Sequence, residues 1–136
     1  MASQSIKRIK PGTRMSQAVV SGGIVFVAGQ VAQNPGKTVG EQTAQITAQL
    51  DELLAAAGSH KTRLLSASIW LTDISTFAEM NAVWDAWVPA DKGPARATVE
   101  AKLAAPQYHV EIAVTASVGK PVVAAKARPK AKAKRR

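Results

Sequence analysis

The chain has 136 residues, 46% of them hydrophobic, which sets the expectation of one globular domain with an ordinary core. Cysteine is absent, so disulfides, thiol nucleophiles and cysteine-ligated metals are excluded, and the two histidines, His60 and His109, lack metal-ligand spacing. The net charge of +9 is uneven: residues 119–136 hold eight basic side chains and no acid, leaving ten basic against nine acidic over residues 1–118.

Met1 to Lys10 carries charge with no apolar stretch behind it, so no secretory leader is expected and a cytoplasmic protein is the plain reading. No apolar run approaches the ~20 residues that a membrane span needs. Residues 6–9 and 17–20 read as short strands, and Ser21-Gly22-Gly23 as a turn. Ile24 to Val31 is a strand with apolar residues on both faces, as expected deep in a sheet. Gln33 to Lys37 is a loop. A helix is predicted from about Gly40 to Ala57, with Ile46, Leu50, Leu53, Leu54 and Ala57 as its apolar stripe and Gly58 as its C′ residue. His60 falls in a loop and is expected to be exposed.

Leu64 to Thr72 reads as a strand with Leu65, Ala67, Ile69 and Leu71 on one face and Trp70 on the other, where a subunit contact would cover it. Thr76 and Glu79 have capping-box spacing. The helix they open carries Phe77, Met80, Asn81, Trp84, Trp87 and Val88 on one stripe and closes at Pro89. An aromatic stripe at this spacing is expected to be core.

Gly93 to Ala116 reads as two strands with a short Pro-containing connection. Arg96, Thr98, Glu100 and Lys102 share one face of the first, and Val110, Ile112, Val114 and Ala116 share a face of the second, opposite Glu111. If the strands pair as a hairpin, Arg96 and Glu111 stand on one polar face, a carboxylate binder beside a carboxylate acid/base. The order β-β-β-α-β-α-β-β predicts an α/β (α+β) fold, one mixed sheet with both helices on a single face. Something must then cover the second face, because the 24–31 strand is apolar on both sides.

The wording of the last segment, P-A-R-A-x-V-E-A-x-L followed by V-E-I-x-x-x-A, resembles the RidA/YjgF family of enamine/imine deaminases. Val25 to Val31 ending in Ala28-Gly29-Gln30, Gln42-Thr43 opening a helix, and Phe77 with Met80-Asn81 resemble that family in order and spacing, over about residues 14–117. The resemblance implies a chorismate-mutase-like fold and a homotrimer with ligand clefts between subunits. It implies hydrolytic deamination of reactive 2-imino or enamine acids of the 2-aminoacrylate type to 2-keto acids and ammonia, with no cofactor and no metal. By the same resemblance Arg96 binds the substrate carboxylate, Glu111 orients or deprotonates the water, and the backbone of Gly29 approaches the ligand. Three positions depart from the family pattern. Met15 replaces an aromatic residue near the cleft entrance, Ala28 a serine, and Thr98 a cysteine, which reads as a different side-chain pocket. A non-catalytic carboxylate-binding sensor is the alternative reading.

The domain is accordingly placed at 1–118, followed by a disordered basic extension over 119–136. That extension predicts weak, non-specific nucleic-acid binding. No general-acid histidine pair supports phosphodiester cleavage.

Overall fold

The computed structural model describes residues 5–123. Six strands form one mixed sheet in the order β1-β2-β3-β6-β4-β5. They are β1 (Ile6–Pro11), β2 (Ser16–Ser21), β3 (Ile24–Gln30), β4 (Leu64–Leu71), β5 (Ala95–Glu100) and β6 (Val110–Ser117). Two helices, α1 (Val39–Ala56) and α2 (Phe77–Trp87), complete the expected element order. Short 3-10 turns at Lys61–Arg63 and Ile74–Thr76 precede β4 and α2. Among the described residues no helix is long and apolar enough to cross a membrane.

Both helices lie on one sheet face. The inward residues of β6, Val110, Ile112, Val114 and Ala116, are at most 2% exposed, and Ile46, Leu50 and Leu54 of α1 are fully buried against the same core. The aromatic stripe of α2 is core at Met80, Trp84 and Trp87, whereas Phe77 is 41% exposed. Leu64, not Leu65, faces the core in β4, because a pairing irregularity between Leu64 and Ser66 turns Leu65 out to solvent. His60 is half-buried rather than exposed. It caps the 3-10 turn, its Nδ1 accepting from the Thr62 amide at 3.2 Å.

The expected hairpin is absent: β5 and β6 do not pair. α2 carries the chain back to the start of β4, so β5 lies parallel to β4 at the sheet edge, and the 101–109 connection then crosses over so that β6 enters between β3 and β4. A connection of that length, with Pro106 in it, is no two-residue hairpin turn. Arg96 is opposite Ala67, on the helix side of the sheet, while Glu111 is opposite Trp70, on the outer side. The two residues therefore stand on opposite faces.

Capping also differs from expectation. Thr76 makes no side-chain cap, because the 3-10 turn leaves it at φ −87° and ψ 9° rather than in the extended conformation a cap needs. The capping box forms instead at Thr38 and Glu41, opening α1, and Glu79 reaches across to accept from the Gly40 amide at 2.9 Å. Gly58 is the left-handed C′ residue of α1, at φ 77°.

The chain stays attached beyond the expected boundary at residue 118. Arg63 donates to the carbonyls of Ser117 (3.1 Å) and Lys120 (3.2 Å), and the Val122 amide donates to Thr62 Oγ1 at 2.8 Å. These partners hold Gly119 to Val122 against the domain, in place of the disorder expected there. The expectation for 124–136 lies outside the described residues.

One buried amide ties the site end of the sheet together. Gln42, with no exposed surface, accepts from the His109 amide at 2.9 Å and donates to the carbonyls of Gln107 (3.0 Å) and Lys37 (3.1 Å). Gln42→Leu leaves those groups unpaired, which is expected to cost roughly 2–4 kcal/mol. Urea unfolding at matched protein concentration checks this, and a loss under about 1 kcal/mol would contradict the rivet role.

Candidate functional site

The candidate residues gather into two clusters, one on each face. The first lies where β3 ends beside the start of β6. Pairing jumps from Val27 opposite Val114 to Gln30 opposite Ile112, so Ala28 and Gly29 together oppose Ala113 in a bulge. The bulge turns Gln30 inward, 6% exposed, where its Nε2 donates to the Ala28 carbonyl and to Gln17 Oε1, both at 3.0 Å. Gln49 Nε2 donates to Gln30 Oε1 at 3.1 Å, which locks the bulge to α1. Glutamine ending an apolar strand is the sequence signal for this support.

Glu111 lies over the bulge. A Cβ built on Gly29 would overlap Glu111 Oε2 and stand 3.0 Å from its Cδ, so only glycine leaves room for the carboxylate there. Gly29 is thus required for space, not for an unusual backbone angle. Partial burial raises the Glu111 carboxyl above its ordinary value of 4.5, since desolvation penalises the charged form. Met15 sits at the same end of the sheet, half exposed in the β1–β2 connection, its carbonyl accepting from the Gly12 amide at 2.7 Å.

The second cluster is on the helix side of edge strand β5. Arg96 Nη1 donates to Asn81 Oδ1 at 2.8 Å. Its guanidinium carbon lies 5.6 Å from the Trp84 ring centroid and 5.8 Å from that of Phe77, within cation–π range of both. Asn81 and Phe77, read as core from the helical stripe, instead frame the guanidinium. Thr98, two residues on, faces the same way. Its hydroxyl is buried and, among the described residues, is the only buried side-chain polar atom without a hydrogen-bond partner.

The clusters do not meet within one chain. Glu111 and Arg96 are separated by two strand spacings and three residues along β5, about 14 Å between Cα atoms, with the sheet between them. The two imidazoles are also apart, His109 just before β6 and His60 beside its far end, about 25 Å away. Among the described residues no group of three or more His, Cys, Asp or Glu is placed to hold a metal ion.

A family model described as endoribonuclease L-PSP matches residues 5–118. The chain is 42% identical over 114 residues to the RutC family protein YoaB of Escherichia coli, covering 84% of this chain and 99% of that one. It is 40% identical over 114 residues to a RutC family protein of Haemophilus influenzae, covering 83% and 98%. Its structure is similar to that of a YjgF family member from Neisseria meningitidis, with a TM-score of 0.84 and 47% identity over 87% of this chain and 98% of that one. The chain belongs to this YjgF/RutC family.

Gly29→Ala tests the packing of the carboxylate. Because the clashing atom is the far end of a flexible side chain, the fold should tolerate the change, with thermal unfolding nearly unmoved. The Glu111 carboxyl should swing toward water and its titration fall back toward 4.5, read by carboxyl-carbon NMR. An unchanged titration would contradict the close approach.

Proposed function

We propose that this YjgF/RutC family member is a hydrolase acting on the C=N bond of short 2-imino acids, and that it works as a homotrimer with each site shared by two copies. The observation that carries this reading is the placement of Arg96 and Glu111 on opposite faces of one sheet. A three-carbon acid cannot span that separation, so the two residues serve one ligand only if Arg96 of one copy meets Glu111 of the next. The outer face supports such an assembly. Phe26 of β3 and Val99 of β5 stand there, each 50% exposed, with Ile24 beside Phe26 on β3 and Ala113 and Trp70 on the two strands between.

In this reading Arg96 gives two parallel hydrogen bonds to the substrate carboxylate, held flat by the Trp84 and Phe77 rings. Glu111 accepts a proton from water as its oxygen attacks the imine carbon, forming a tetrahedral carbinolamine. Glu111 passes that proton to the nitrogen and then takes the hydroxyl proton as the C=O bond forms and the C–N bond breaks, so that ammonia leaves with the 2-keto acid. Nothing is oxidised or reduced, and a protonated imine is electrophilic enough to need no further cofactor. Ala28, Met15 and Thr98 shape the pocket for the substrate side chain, and the backbone of Gly29 lines its floor. The carbinolamine step uses the ionised carboxylate, so the rate should rise with pH on an acid limb centred above 4.5. The same shift makes the Glu111 contribution to folding stability decline as pH rises from 4.5 through its raised value.

Release of 2-keto acid from a freshly generated imino acid is the direct assay. Arg96→Ala should nearly abolish it with little change in thermal stability, and Arg96→Lys should recover little, since an ammonium lacks the planar two-point contact. Glu111→Gln should lose about 10²- to 10⁴-fold in rate while still binding a carboxylate ligand. A wild-type rate in either Arg96→Ala or Glu111→Gln would refute catalysis at this site.

The shared site has its own signature. Co-refolding equal amounts of Arg96→Ala and Glu111→Gln chains and assorting them at random restores both residues in about a quarter of clefts, by the symmetry of a cyclic assembly. Recovery of about a quarter of wild-type activity is expected, against none for either variant alone. No recovery would place both residues in one copy's site, and a stable 14.3 kDa monomer by light scattering would remove the shared site altogether.

A further inference from the structure

The bulge under Glu111 is held by glutamine amides to which the proposed reaction assigns no part. A bulge leaves backbone groups outside the strand ladder, so Ala28 and Gly29 lack the pairing that pins their neighbours. Gln30 supplies what the ladder does not. Its side chain is 6% exposed on the helix side of the sheet, and its Nε2 donates to the Ala28 carbonyl and to Gln17 Oε1 of β2, at 3.0 Å each. Its Oε1 accepts from Gln49 Nε2 of α1 at 3.1 Å, and the same Nε2 donates to the Val31 carbonyl at 3.1 Å. The backbone carbonyls of Ala28 and Val31 can only accept, so they fix which end of each amide is nitrogen and leave the network one arrangement. The bond to Ala28 also sets the Ala28–Gly29 peptide plane, since the C=O and N–H of a trans peptide point opposite ways. Glu111 packs on Gly29 so closely that a Cβ there would overlap its Oε2. The position of that plane therefore decides how near the carboxylate comes to the sheet.

We infer that Gln30 is a positioning residue for Glu111: braced against α1 by Gln49, it holds the Ala28–Gly29 peptide where the carboxylate stays packed on the sheet and directed at the attacking water. Its effect on rate rests on the hydrolysis proposed above, whereas its hold on the carboxylate stands without it. An amide suits this place because it is neutral. A charged brace would add its own field to the proton affinity of Glu111. Gln45, one turn earlier on α1, provides the contrast. It exchanges two hydrogen bonds with the Asn34 backbone, at 3.0 and 2.9 Å, and among the described residues makes none with Gln30 or the bulge.

The test compares Gln30→Met, Gln49→Ala and Gln45→Ala with the unchanged chain. Methionine keeps the volume and unbranched body of Gln30 and removes its three hydrogen bonds. The first readout needs no activity: the Glu111 carboxyl titration, followed by carbon NMR. Burial holds it above 4.5 in the unchanged chain, and in Gln30→Met it should fall back toward that value as the carboxyl swings into water. Gln49→Ala should move it the same way by less, and Gln45→Ala should leave it in place. The second readout is kcat for imino acids. Gln30→Met should lose roughly 10- to 100-fold, as for a displacement on the order of 1 Å, with the acid limb moving down in step with the titration. A merely weakened fold lowers the active fraction and moves neither the titration nor the limb. An unmoved Glu111 titration in either Gln30→Met or Gln49→Ala overturns the positioning role, as does an equal shift in Gln45→Ala. If Gln30→Met does not fold, Gln49→Ala decides alone, since Gln49 is only half-buried on α1. A shifted titration in a chain that releases no 2-keto acid upholds the positioning role and refutes the hydrolysis instead.

Discussion

The sheet carries apolar side chains on both faces, and the chain has helices for only one. α1 and α2 each carry a single buried stripe, and both are spent on the face that holds Val110, Ile112, Val114 and Ala116. The outer face keeps Phe26 and Val99 half in water, and full burial of such a side chain is worth roughly 1.5–3 kcal/mol. An open antiparallel sheet normally alternates apolar inside with polar outside, and β3 breaks that rule with Ile24 and Phe26 on its outer side. The demand for a covering surface is thus built into the strand that also carries the Gly29 bulge. Any surface that covered this face would also enclose Glu111, since the carboxylate stands on that same side.

Much of this was legible in the residues. The order of elements, the single-sided helices and the stripe of α1 follow from apolar periodicity, and each is present. Pairing was not legible, because periodicity gives the faces of a strand and not its neighbours. β5 and β6 are adjacent in sequence, yet β4 lies between them, since a helix returning over the sheet delivers the next strand parallel to the last. That pairing, in a register that sets Arg96 opposite Ala67 and turns Val99 outward against the apolar periodicity, puts Arg96 on the far side of the sheet from Glu111. The two Thr-x-x-Glu sequences show a similar limit. Thr38–Glu41 closes a capping box and Thr76–Glu79 does not, because the residues before Thr76 had already begun a 3-10 turn.

The two clusters are built by different physics. The Glu111 side depends on backbone: a bulge, a missing Cβ and a buried glutamine that ties Ala28 to α1. Its carboxylate gains reach and loses hydration, and the lost hydration raises its proton affinity. The Arg96 side depends on side chains from α2. Asn81 takes one guanidinium N–H, and two aromatic faces stabilise the charge without neutralising it. An asparagine acceptor leaves the cation whole for an incoming anion, where a carboxylate partner would have cancelled it.

Thr98 fits the same division of labour. A buried hydroxyl without a partner costs about 1–3 kcal/mol, and native folds rarely leave one without a reason. It lies two residues from Arg96 on the same strand face, in the cluster where Asn81 leaves the guanidinium free to take an anion. On the other face the matching feature is the Glu111 carboxylate, held in partial burial by Gly29 with no cation beside it among the described residues. Each face of a single copy thus carries a cost that its own contacts leave standing. One is a neutral hydroxyl and the other an acidic carboxyl, and they lie on opposite faces of the sheet. Under the proposed shared site, the association that covers the outer face would also complete the site, so loss of assembly and loss of activity would go together however strong the core is made.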